Sequence, residues 1–181
     1  MIIKNVKLLS TNNVLFDKGL TISEISEIQK IYDISFPESL QSFLMAALPI
    51  SASFYNWRNK ENTNVKYIKS MMNQPVKYIE NMPEVIYWCD QWGKEPKSKE
   101  EFNAEVRNRL RRAPALIPVF SHRYMPSIKE KDPPIISIHG GDIIYMGENL
   151  EDYLEVEFGN KKQGEINFSR IKPIPFWSDL I

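Results

Sequence analysis

In the stretch IISIHGGDIIYM, Ile135 to Met146, a histidine, two glycines and an aspartate stand in a row. These residue types could serve acyl transfer: the oxyanion loop of lipases reads HGGG and turns backbone N–H groups toward developing negative charge. That chemistry also needs a nucleophile in G-x-S-x-G, and no two of the seven glycines are four apart. Residues on both sides of Gly140-Gly141 alternate instead, which is the pattern of a two-residue hairpin. Glycine at both central positions supplies the positive φ of a type I′ turn. In that register His139 faces Asp142 and Ser137 faces Ile144, while Ile136, Ile138, Ile143 and Tyr145 form the core face. His139 and Asp142 become cross-strand neighbours able to share a hydrogen bond. The reading is a turn.

Other chemistry is thinner. Gly159 and Gly164 in GNKKQGEI have phosphate-loop spacing, but Glu165 stands where the lysine must be, and a carboxylate there repels phosphate. Two histidines and one cysteine, far apart in sequence, offer no zinc spacing, so no metal or cofactor is expected. RNRLRR, Arg107 to Arg112, resembles a nucleic-acid patch. However, Glu105 and Arg109 form a stabilising i,i+4 pair, and basic side chains suit a helix C-terminus. The four tryptophans, Trp57, Trp88, Trp92 and Trp177, read as core aromatics with satisfied indole N–H groups.

The elements that position these residues are partly legible. GLTISEISEIQKIYD is a helix with a Thr21/Glu24 capping box, a Leu20–Ile25 staple and an apolar stripe of Ile22, Ile25, Ile28, Ile31 and Tyr32. A second helix opens at Pro37, carries Leu40, Phe43, Leu44, Ala47 and Leu48 on one side, and stops at Pro49. SFYNWR alternates like a short strand. Val65 to Met72 is helical, and the aromatic-rich Pro75 to Trp92 is ambiguous. Ser98 and Glu101 suggest another capping box, with Phe102, Val106 and Leu110 on one face before Pro114. LIPVF and RYMP are strands, KEKDPP is a loop, and Leu150 to Phe158 is a helix. Helices segregated from strands favour α+β: a single domain over residues 1–181, with one central mixed or antiparallel sheet flanked by helices.

Composition sets outer bounds. The 181 residues carry 23 basic and 23 acidic side chains, so no global charge favours nucleic acid. A lone cysteine, Cys89, fits a reducing compartment. No apolar run reaches membrane-spanning length, and MIIKNVKLLSTNN lacks the apolar core of a signal peptide. The expectation is a cytoplasmic protein without membrane contact.

The chain resembles the SUKH superfamily, whose founding members are fungal cell-wall-assembly regulators, and within it the bacterial branch. The resemblance runs in order through LTISEISEIQKIYDISFPESLQSFL, FYNWRN, the W-x3-WG-x2-P of WCDQWGKEP, APALIPVFSHRYMP, IISIHGGDIIYMGENLEDYLEVEF and IPFWSDL. Asp142 and Gly147 match the family pattern, whereas His139 and Gly140 depart from it. The resemblance implies an α+β fold without established enzymatic activity. It also implies a cytoplasmic immunity protein that binds and neutralises a cognate toxin, often a nuclease, of a polymorphic toxin system. The alternatives are a regulatory scaffold in cell-wall synthesis or signalling, as in the fungal branch, and an enzyme using carboxylates around Asp142.

If the partner is a cationic nuclease toxin, the segment ENLEDYLEVE offers a docking face. It holds Glu148, Glu151, Asp152, Glu155 and Glu157 and no basic residue. Asn149 as N-cap and the helix dipole account for Glu151 and Asp152, leaving Glu155 and Glu157 as surplus. These five acids are the partner-binding expectation.

Overall fold

Helices begin where the sequence sets a side-chain acceptor ahead of an apolar period. The computed structural model describes residues 2–181. Helix α1 (Ile2–Thr11) leads into strand β1 (Phe16–Lys18), then α2 (Ile22–Tyr32), α3 (Glu38–Ala46) and strand β2 (Ala47–Pro49). The long α4 (Asn62–Asn81) and α5 (Lys99–Leu110) follow, then β3 (Leu116–Phe120), β4 (Arg123–Pro126), β5 (Ile135–His139), β6 (Asp142–Gly147) and α6 (Leu150–Phe158). Short 3-10 turns carry the chain to its last residues.

The fold is α+β, with two antiparallel sheets where one was expected. Strands β3-β4-β5-β6 form a meander in chain order, and β1 pairs with β2 separately. Ala47 and Leu48, expected on the second helix, belong to β2, so α3 stops at Ala46 rather than at Pro49. Pro37 is the N-cap of α3, one residue before the first helical position. SFYNWR makes only a single bridge, Phe54 to Phe120. Arg58 explains why it leaves the sheet. Its guanidinium meets Asp17 Oδ2 and Glu24 Oε1 at 2.7 Å each and donates to the carbonyls of Lys18 and Gly19, drawing the segment toward β1 and α2.

The Thr21/Glu24 capping box is complete. At α5 only the Ser98 half forms, with Ser98 Oγ accepting from Glu101 N–H. The stripe of α2 narrows to Ile25, Ile28 and Tyr32, with Ile31 packed beside them; Ile22 is 64% exposed. Helix α4 runs through Pro75 to Asn81, well past the stretch read as helical.

One core lies among α1, α2, α3, α6 and parts of β3, β4 and β6, around residues such as Leu9, Ile28, Phe43 and Tyr153. The other joins α5, the remaining faces of the meander and the C-terminal segment. There Trp92 Nε1 donates to Asp179 and Trp177 Nε1 to the Pro114 carbonyl, while the less buried Trp88 donates to the Gly93 carbonyl. Trp57 packs edge-on against Tyr32 and Phe36. Among the described residues, no helix is long and apolar enough to cross a membrane.

Candidate functional site

The hairpin forms in the expected register, His139 opposite Asp142 and Ser137 opposite Ile144. Its turn differs from expectation. Gly140 has φ +63°, whereas Gly141 has no positive φ, which is the pattern of a type II′ turn rather than I′. The side chains of His139 and Asp142 share no hydrogen bond, although the two residues pair in the ladder. The His139 ring lies 5.6 Å from that of His122, at the edge of a hollow of about 480 Å³ walled by Tyr78, Tyr124 and Gln74. Sequence reading missed His122; its signal was SHRYMP, which starts β4 beside the end of β5, with Ile138 N–H bonded to the His122 carbonyl.

His122 is already committed. An arginine only donates, so the contact from Arg123 Nη1 makes His122 Nε2 an acceptor and leaves the proton on Nδ1, facing Ser121 Oγ at 3.1 Å. Burial, then the neighbouring Arg123 charge, holds the imidazole below its ordinary pKa. With both nitrogens engaged, His122 is poorly placed to relay a proton or ligate an ion. Among the described residues there is no cluster of three metal-ligating side chains.

The acidic tract looks different in three dimensions. Lys4 on α1 reaches Glu151 at 3.1 Å and Glu155 at 3.0 Å, and those carboxylates, Glu155 first, raise its pKa. Asp152 pairs with Lys161 and also accepts from Glu148 N–H. Arg123 Nε meets Glu157 at 3.1 Å, and Arg170 stands 3.4 Å from Glu148. Four cations of the same chain therefore face Glu148, Glu151, Asp152, Glu155 and Glu157. The surplus read from the sequence is mostly cancelled because its cations lie elsewhere in the chain. The tract is a charge lattice holding α6 to α1 and β4.

The same packing creates a groove of about 750 Å³ between α1, α3, the loop before β5 and the start of α6. Ile2 and Ile3 form one wall, Phe43 and Leu150 others, and Glu38, Lys131, Asp132 and Glu151 edge it. One buried polar atom in its lining has no partner among the described residues. It is Ser39 Oγ; Asn5, only 3% exposed, lies beside it in the lining. Of the five acids expected to meet a partner, only Glu151 borders this groove.

No family model matches the chain, and neither a curated protein nor a solved structure does. The likeness to the SUKH superfamily rests on the ordered motifs alone.

Proposed function

We propose that the chain is a stoichiometric protein-binding module: an immunity protein that occupies a cognate toxin domain in the cytoplasm. The observation that carries the reading is the groove bounded by α1, α3 and α6. It is open and chiefly apolar, falls within the size range of binding pockets, and is lined by Ser39, whose Oγ is buried without a partner among the described residues. Ile3, 86% exposed beside it, extends the apolar surface outward. An exposed apolar patch rimmed by charge is the usual form of an interaction surface. The ordered SUKH-like motifs supply the class of partner, by analogy.

Co-expression with the cognate toxin domain, which this reading expects in a neighbouring gene, tests it. A one-to-one complex that survives size-exclusion chromatography is expected. If the toxin domain elutes alone under conditions where both proteins are folded, the proposal fails.

A further inference from the structure

We propose that His122 is an acid-sensitive latch: neutral, it seats on the Arg123 guanidinium, and on protonation it leaves that seat for the open hollow beside it. This does not rest on the binding reading above; it concerns how the fold responds to pH. Ser121 and His122 form the two-residue turn between β3 and β4, where Phe120 pairs with Arg123. Three bonds fix the turn's backbone. Ser121 N–H donates to the Ser53 carbonyl at 2.7 Å, the Tyr55 hydroxyl to the Ser121 carbonyl at 2.6 Å, and Ile138 N–H to the His122 carbonyl at 3.1 Å. Arg123 is held as well: Nε meets Glu157 of α6 at 3.1 Å and Nη1 meets Ser137 Oγ of β5 at 3.1 Å, besides His122 Nε2. With backbone and guanidinium both fixed, the imidazole is the part that can turn. The hollow of about 480 Å³ gives it room.

Protonation reverses the contact. Nε2 changes from acceptor to donor, so two cationic donors face each other. The Arg123 side chain is only 16% exposed, so the repulsion is poorly screened. Around the ring stand Arg123 of β4, His139 of β5 and Glu157 of α6, with Asp142 opposite His139 and Tyr78 of α4 across the hollow. Glu157 favours the imidazolium, but burial first, then Arg123 and His139, outweigh it and hold the ring below its ordinary pKa of 6.5. Burial raises the phenols of Tyr55, Tyr124 and Tyr153, which stay neutral. The folded chain thus takes the proton less readily than the unfolded one. The linked stability is complete above about pH 6.5 and drains away as pH falls toward the folded value.

The test follows the full chain between about pH 7.5 and about pH 5, where histidine titrates. In NMR titrations the His122 ring should protonate at a lower pH than the His139 ring. The Arg123 Nε–H signal should shift at the His122 midpoint and not at that of His139. Arg123→Met should move the His122 midpoint up. His122→Gln keeps an acceptor for Arg123 but takes no proton. Its melting temperature should stay level over this range, while those of wild type and His139→Gln fall. Four results would each overturn the proposal. They are a His122 midpoint at or above that of His139, an Arg123 signal that ignores it, an unmoved midpoint in folded Arg123→Met, and a His122→Gln variant that falls as steeply as wild type. Should Arg123→Met not fold, the His122→Gln comparison decides alone.

Discussion

The Tyr124 hydroxyl donates to the Met71 carbonyl at 3.1 Å, taking the place of the amide hydrogen that Pro75 lacks. A proline inside a helix orphans the carbonyl four residues earlier, and here a strand residue satisfies it. That bond ties α4 to the four-stranded sheet and lets the helix continue to Asn81. Burial pushes the Tyr124 phenol up to about 12, so it remains a donor at any ordinary pH.

Two tyrosines should therefore respond oppositely to loss of their hydroxyls. Tyr124→Phe leaves the Met71 carbonyl unpaired and should cost about 1–3 kcal/mol in urea unfolding. The Tyr153 hydroxyl is buried with no partner, so Tyr153→Phe should be neutral or stabilising. A larger loss at Tyr153 than at Tyr124 would contradict this.

The turn discriminates between its glycines. Gly140 has the positive φ, and Gly140→Val should cost about 1 kcal/mol or more. A Cβ on Gly141 would meet Val85 Cγ2 at 3.5 Å, an ordinary contact, so Gly141→Ser should lose much less. Equal losses in thermal melts would return the turn to type I′.

Acid should act through Glu24. The Arg58 guanidinium first, then the Thr21 N–H, hold its carboxyl at about 2 against an ordinary 4.5. The unfolded chain thus binds the proton more readily, and the linked stability is complete above about pH 4.5 and drains away as pH falls toward 2. Arg58→Met should melt lower than wild type at pH 6, with the difference shrinking between pH 4.5 and 2.5. A gap that stays constant with pH would show that Arg58 acts through packing alone.

Reversing Glu151, Asp152 and Glu155 to Lys together should chiefly reduce stability. Lys4 and Lys161 lose their partners, and Glu148 N–H loses its acceptor. High salt should narrow the resulting difference in melting temperature. A variant with unchanged melting but slowed association with the partner would favour the acidic docking face instead.

What the sequence disclosed was local. Thr21, Ser98 and Asn149 announce helices because a cap and its N–H lie three residues apart, and the hairpin register follows from alternation around two adjacent glycines. What it hid was distant or brief. Strands β1 and β2 are three residues each, too short for a period to show. Helix α1 has no acidic residue in its first turn and no basic one in its last to announce it. The groove exists only because α1 packs on α3 and α6, and Lys4 meets Glu151 across 147 positions. No window along the chain contains both halves of that pair, so the acids looked unpaired.

The proposed neutralisation by occupancy is tested most directly by an activity titration. A fixed concentration of the cognate toxin domain, well above the Kd, is titrated with this protein and the residual toxin activity measured. Neutralisation by occupancy gives a linear fall to zero at one equivalent, with activity recovered when the complex is dissociated and the proteins are separated. Complete and lasting loss of activity at a small fraction of an equivalent would mean turnover, and would contradict it.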